Sequence, residues 1–484
     1  MNEERKVIND IFSANSLIIS DKKRIEFDEF QSNPEILSIA YDIAQKQQMI
    51  MDKWNVINRI SDITAQPLVI PNATISKPYS TVFDLNALKL NDIEIIKIEG
   101  LNEIGLNFIQ DGNLIEGIPN MSGDLNITLF YKIIGQSEGE KINEKFFKIV
   151  VNPDPKTLWK DIPSNNSDEF WKEDDVTEFG NLSEKKIIVS SKRGRAHENV
   201  GSFRDDDYAF KYIEKTGWSI VGVSDGAGSY SLSRKGSQIA CNNLIDFFEN
   251  HSDTEKDIEL NNKLDEYSKS KDENLLKEIE VLGKQNLYKA TVHVHNSLKE
   301  FSEKTFTDYP DKFNNPKAKS NLDYFHSTLI FVAFKKFDLG YAIFSFGVGD
   351  CPIAIMNKEK TETTLLNWLD VGEFGGGTRF ITQPEIFHST EHPMVSRFNF
   401  KIVPDFSYLF LMTDGIYDPK FVVEANLEKS EKWIEFIKDL NGENEDNINV
   451  ELSSENEKIK EQLSEWMDFW SPGNHDDRTL AIVF

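Results

Sequence analysis

Five apolar stretches between residues 204 and 484 begin or end on aspartate, and this restricts the fold more than any other feature of the chain. Val221-Gly-Val-Ser-Asp-Gly-Ala-Gly-Ser229 reads as a buried strand, Ser219 to Val223, running into Asp225-Gly226 and a turn of small residues. Arg204-Asp-Asp-Asp-Tyr-Ala-Phe210 opens a second strand. Phe346-Gly-Val-Gly-Asp-Cys351 and Leu409-Phe-Leu-Met-Thr-Asp-Gly-Ile-Tyr-Asp418 close two more, and Asn474-His-Asp-Asp-Arg-Thr-Leu-Ala-Ile-Val-Phe484 opens the last. A single Asp-Gly after a strand is an ordinary turn. Carboxylates at five strand ends, with no matching set of Cys or His, point instead to a hard-cation site built from oxygen ligands.

The surrounding pattern supports sheets buried on both faces. Ser327 to Phe334, Tyr341 to Phe346 and Tyr408 to Met412 are long apolar runs. After the Asp225 turn a helix is expected from about Ser233 to Phe248, because Ala240, Leu244, Phe247 and Phe248 share one helical face. The net charge is −27, from 54 basic and 81 acidic residues, which argues against nucleic acid or an anionic membrane as the main partner. Cys241 and Cys351 are too few and too far apart for a disulfide framework. No apolar signal core follows the N-terminus, and no stretch is long enough to span a bilayer. These features together read as a cytoplasmic protein.

The N-terminal part has a different rhythm. Residues 1–65 read as a helical segment, with Ile36, Ile39, Ala40, Ile43, Ile50, Trp54 and Ile57 at helical spacing. Residues 66–151 change to short strands separated by Gly, Asn and Pro, the pattern of a small β-sandwich. Residues 152–184, with Pro153, Pro155, Pro163 and the acids Asp168, Glu169, Glu173, Asp174 and Asp175, read as a linker. Trp159, Phe170 and Trp171 within it imply packing against a neighbour. Two charged inserts, Ser252 to Asp272 and Asn441 to Lys460, read as solvated loops or helix faces.

Taken in order, the aspartate blocks resemble the metal-dependent serine/threonine protein phosphatases of the type 2C (PPM) class. The similarity is nearest to its bacterial branch, whose first block is Gly-x-x-His with an Asp nine residues on. Gly194-Arg-Ala-His197 and Asp206 stand at that offset, and Gly372-Glu-Phe-Gly-Gly-Gly-Thr378 is similar to a later segment of the same branch. The resemblance covers about Lys186 to Phe484 and implies an α+β protein. Its phosphatase domain, 185–484, would have two stacked antiparallel sheets flanked by helices. Within 66–151, the order Pro78-Tyr79, Gly105-Leu-Asn-Phe108, Gly112-Asn-Leu-Ile-Glu-Gly-Ile-Pro119 and Gly123-Asp124 resembles immunoglobulin-like domains of bacterial proteins, which implies a binding or spacing role.

The phosphatase resemblance implies hydrolysis of phosphoserine and phosphothreonine by a metal-activated water, with two Mg²⁺ or Mn²⁺ ions. It implies that Asp225 bridges the ions and Gly226 offers its carbonyl, that Asp414 and Asp476 bind the second ion of the pair directly or through water, and that Asp206 holds metal-bound water. Asp205 and Asp207 leave the register of that block ambiguous. Asp350 and Asp418 fit the positions of a third, weaker ion. His197 is either a general acid for the leaving oxygen or a structural histidine. Family members carry an arginine five residues before the first-block aspartate, where it clamps phosphate. That position is Gly201 here, leaving Arg204, Arg193 or Arg195 as substitutes, with Arg204 taken as the catalytic candidate. His326 and His475 are weaker candidates for the same acid role, Arg379 is a candidate for substrate contact or a surface residue, and Asp477 reads as a cap or turn before the final strand. The alternative is a catalytically inactive phosphatase-like module whose N-terminal domain recruits a partner.

Overall fold

The computed structural model describes residues 3–136, 139, 141–370, 377–390 and 392–484. It is a mixed α+β chain in two compact units, 1–158 and 159–484. Among the described residues no helix is long and apolar enough to cross a membrane.

In the first unit, helices α1 (Glu3–Ala14), α2 (Arg24–Phe30) and α3 (Pro34–Ala65) come before all the strands. Asn33 caps α3 by accepting a hydrogen bond from the Glu35 amide, with Pro34 at the first helical position. Val7, Ile8 and Ala40 form a small core between α1 and α3. Strands β1 (Ala73–Thr74), β2 (Tyr79–Val82), β3 (Ile93–Glu99), β4 (Leu106–Ile109), β5 (Leu114–Gly117), β6 (Gly123–Ile133) and β7 (Asn143–Asn152) follow. They make a four-stranded sheet, β1-β7-β6-β3, and a three-stranded one, β2-β5-β4. Alternate residues of β6 (Ile127, Leu129, Tyr131) are fully buried in the core of this unit with Phe83, Leu106, Ile115 and Ile149.

The second unit is built on two antiparallel sheets. One has the order β10-β11-β12-β13-β16: Asp207–Ile213, Trp218–Ser224, Leu329–Phe337, Gly340–Val348 and Phe398–Val403. The other has the order β15-β14-β17-β18-β9-β8: Thr363–Leu365, Ile353–Asn357, Phe406–Met412, Arg478–Val483, Lys185–Lys192 and Asp175–Leu182. The inner faces meet through Val221, Val223, Ile330 and Val332 from one sheet and Val189, Ile353, Leu409, Leu411 and Ala481 from the other. The intervening residues point outward into helical layers, as the two-residue period of a strand requires. Ile220 and Phe331 pack under α5 (Ser233–Asp246) and α7 (Glu273–Asp308), while Phe410 and Ile482 pack under α9 (Ser430–Leu440) and α10 (Ile459–Trp466). The charged insert after Ser252 is a helix, α6 (Thr254–Ser270), that turns Leu260 and Leu264 inward.

The stretch expected to be a linker is corrected by this architecture. Asp175–Leu182 is an edge strand paired with its neighbour along its whole length, and the second unit starts at Trp159. Phe170 lies in the core under α5. Prolines and acids made the segment resemble a spacer, because an edge strand needs only one buried side and tolerates charge on the other.

Candidate active site

The antiparallel order brings the aspartate blocks to one end of both sheets. Asp206 precedes β10, Asp225 follows β11 and Asp350 follows β13, so all three leave the five-stranded sheet at the same edge. In the facing sheet, Asp414 follows β17 and Asp476 precedes its antiparallel partner β18. Asp418 lies one turn along α8 (Asp414–Phe421). Asp414, Asp206, Asp476 and Asp350 all lie near enough to Asp225 for their charges to raise its carboxyl, after burial.

Three close backbone approaches hold the blocks together. A Cβ on Gly226 would lie 2.6 Å from the Asp205 carbonyl, and one on Gly194 or Gly415 would collide with the Asp476–Asp477 backbone. Asp225 is pinned on both sides of its main chain by Thr328, whose hydroxyl accepts from the Asp225 amide at 2.9 Å and whose amide donates to the Asp225 carbonyl at 2.8 Å.

The first block resolves into three directions. Asp207 turns away to Lys172 at 3.0 Å. Asp206 is buried and accepts from the hydroxyls of Thr413 (2.7 Å), just past β17, and Thr479 (2.8 Å), on its partner β18. Asp205 is also buried and faces His197, whose Nε2 is 3.9 Å away.

Asp477, expected only to cap or turn the chain, is the hub of this end of the site. Its carboxylate accepts from the amides of Gly194 and Asp205 and from His197 Nδ1 at 3.0 Å. One buried side chain therefore ties together the segments that carry His197, Asp205 and Asp476. The Asp-Asp doublet before the last strand is the only trace of this in the sequence.

The charge state follows from crowding. Burial, then the neighbouring Asp414, raises Asp225 well above the usual carboxylate range. Burial, then Asp476, does the same to Asp414. Burial and Asp477 push Asp205 up to about 7 and Asp206 up to about 8. Partial desolvation also raises Asp350, and it raises Asp418 and Asp476 although both reach solvent. His197 and Asp477 are the exception. Burial opposes their charges, but the hydrogen bond between them holds the imidazole up to about 10 and keeps Asp477 below the usual range.

A cluster of carboxylates that cannot all ionise against one another is a receptacle for cations. The donors fit a hard divalent ion, since they are carboxylate and carbonyl oxygens, and Asp350 Oδ1 is a buried oxygen without a hydrogen-bond partner. Cys351 borders Asp225 and Asp350, but burial keeps its thiol protonated.

The remaining candidates are placed elsewhere. Arg204 is 3% exposed and spends its guanidinium on the Glu173 carbonyl, Ser191 and the Asp206 carbonyl, so it braces the first block and is not open to a phosphate. Arg193 is likewise buried among Ser202, Asp161 and Asp174. Arg195 donates to the Asp468 carbonyl and lies over Trp470. Gly201 has φ +69°, a conformation an arginine adopts only with strain, and Ile162 packs against it. His326 bonds Thr382 and stacks on Phe380, and His475 packs between Trp159 and Trp470. Gly372 to Gly376 lie outside the described residues, while Thr378 at the end of that run donates to Asp350 at 2.8 Å. Arg379 approaches Asp370 at 3.8 Å.

Two helix-backed antiparallel sheets with acids converging at one end define a two-layer scaffold with a carboxylate-lined end. Residues 193–468, more than half of the chain, match the family described as Protein phosphatase 2C, and the chain belongs to that metal-dependent family. Solved structures similar to this chain include the S. agalactiae serine/threonine phosphatase, with 16% identity over 62% of this chain and 99% of that one, at a TM-score of 0.35. The catalytic domain of the serine threonine protein phosphatase PstP, in complex with two manganese ions, is 12% identical over 64% and 98% of the two chains, at a TM-score of 0.29. A C. elegans sex determining protein is 16% identical over 62% and 64%, at a TM-score of 0.32. No curated protein matches the chain.

Proposed function

We propose that this chain is an active metal-dependent protein phosphatase that hydrolyses phosphoserine and phosphothreonine in protein substrates. The observation that carries the reading is the convergence of Asp206, Asp225, Asp350, Asp414 and Asp476 from both sheets, in an electrostatic state that calls for cations. Asp225, the Gly226 carbonyl, Asp414 and Asp476 would hold two Mg²⁺ or Mn²⁺ ions, with Asp206 and Asp205 orienting water beside them and Asp350 and Asp418 available to a third. Such ions acidify a bound water and screen the phosphate dianion.

The chain's own residues supply the rest. Thr413 and Thr479 fix the Asp206 carboxylate so that one oxygen is committed. Asp477 aims His197 through Nδ1 and leaves Nε2 directed at Asp205 and the Gly228 turn. His197, held protonated, is the donor to the departing serine or threonine oxygen. Gly201 stands in place of a phosphate-clamping arginine and Arg204 is committed to the fold, so the ions would carry the phosphate charge.

Hydrolysis of p-nitrophenyl phosphate with Mn²⁺, with Mg²⁺ and with chelator tests the reading, comparing the native chain with Asp225→Asn. Metal-dependent turnover that disappears in the variant supports it. Folded protein that is silent with every metal would overturn it and favour an inactive phosphate-sensing module, the reading to which Gly201 lends weight. The residues 66–151 are proposed as the partner-recruiting part of the chain, on their likeness to immunoglobulin-like domains.

A further inference from the structure

Asp246, His251 and His293 come together on the helical side of the five-stranded sheet, away from the catalytic acids. Asp246 is the last residue of α5, His251 ends the π-helical turn Phe247–His251 that continues it, and His293 lies within α7. The turn decides the geometry. In an α-helix, residues five apart point roughly 140° away from each other. The wider π-turn, with its i to i+5 period, brings His251 round beneath Asp246. Its neighbours Phe247 and Phe248 are buried in the core, which anchors the turn.

The donor atoms lie within 4.8 Å of one another. His251 Nε2 is 3.1 Å and His293 Nε2 3.4 Å from the same oxygen, Asp246 Oδ2, and the two rings are 4.7 Å apart. The other Asp246 oxygen is already taken by the Asn250 side-chain amide at 2.8 Å, which fixes the carboxylate's orientation. His293 Nε2 is screened from solvent and makes no hydrogen bond. The His251 and Asp246 side chains are 53% and 40% exposed, so the outer side of the cluster is open to water.

We propose that Asp246, His251 and His293 form a second metal site, for a borderline transition-metal dication such as zinc, with water as the remaining ligand. Two imidazole nitrogens and one carboxylate are the donor set such ions take, and the donors would close to about 2.0–2.2 Å on binding. Magnesium, which prefers oxygen, is a poor fit. The site is separate from the catalytic acids: α5 carries it roughly 20 Å along its axis from Ser233, which packs beside Gly226. An ion there would fasten the end of α5 to α7. Simple charge pairing of Asp246 with protonated imidazoles is the competing account, and it requires no metal.

Cobalt separates the two. The full chain, kept in excess Mg²⁺ so that the oxygen site is filled, is titrated with Co²⁺ and followed by visible absorption and by bound cobalt after gel filtration. The site predicts one equivalent with the intense bands of four-coordinate Co²⁺, displaced by Zn²⁺. Both signals disappear in His251→Gln and His293→Gln, while Mn²⁺-dependent turnover of p-nitrophenyl phosphate is retained. His251 is half exposed, so its variant decides the matter even if His293→Gln fails to fold. Equal cobalt binding and equal spectra in the native chain and His251→Gln would overturn the proposal.

Discussion

Two sets of carboxylates in the same unit have opposite chemistry, one closed off and paired, the other crowded and open on one side. Asp370 meets Arg397 in a two-pronged pair at 2.6 and 2.8 Å, accepts the Gly349 amide, and is closed off from water with its partner. Asp225, Asp414 and Asp476 crowd one another, the first two half-buried and the third reaching solvent, with no cation of the chain among the leading influences on Asp225 or Asp414. A buried charge given a fixed partner contributes to holding the fold. Carboxylates crowded against each other in a partly desolvated site favour a cation from outside that completes them. The contrast separates scaffold from site without reference to any relative.

The largest effect should come from breaking the paired set. Arg397→Ala leaves Asp370 buried and alone and is expected to cost about 3–5 kcal/mol of stability, read from the denaturation midpoint. Turnover per folded molecule should change far less. Asp225→Asn should do the reverse, lowering metal-dependent turnover more than about 100-fold while leaving the metal-free melting temperature equal or higher, because one member of a repelling group has been neutralised. If Asp225→Asn instead destabilised the metal-free chain as strongly as Arg397→Ala, the distinction would fail.

His197→Ala sharpens the picture from the leaving-group side. A phosphoserine peptide should be hydrolysed about 100-fold more slowly, whereas p-nitrophenyl phosphate, whose leaving phenolate needs no proton, should lose little. Equal losses on both substrates would reassign the imidazolium to phosphate binding or to structure.

The acid cluster also sets a pH dependence. Asp205 and Asp206 titrate at about 7 and about 8 in the folded chain, above an unfolded carboxylate, so the folded form binds the extra protons. Their cost is absent below about pH 4 and grows as the pH rises towards 8. With chelator present, the melting temperature should therefore fall between pH 5 and pH 8, and Mn²⁺ should shrink that fall. A chelator-treated melting temperature that rises over this range would contradict the charge state.

The last comparison concerns where the second unit begins. Removing residues 1–158 should leave turnover of p-nitrophenyl phosphate unchanged. Removing 1–184 should abolish it, because the edge strand Asp175–Leu182, the buried Phe170 and the Lys172–Asp207 pair go with it.

Local pattern was enough for the elements that bear the acids. Long apolar runs cut off by aspartate located the strand ends before Asp225 and Asp350, after Asp206 and Asp476, and at Asp414, because strand burial imprints a continuous hydrophobic record. The edge strand at Asp175 left no such record, since half of it faces water. By itself, then, the sequence determined which residues end strands, which helix follows the Asp225 turn, and that acids rather than cysteines or histidines dominate the blocks. Only the tertiary structure decided what those residues do. It turned Asp207 away and Asp205 inward, made Asp477 a hub and Arg204 a brace, and used one π-turn to set His251 beside His293. Spacing along a chain fixes the period of an element, but partners far apart in sequence are chosen by how the elements pack.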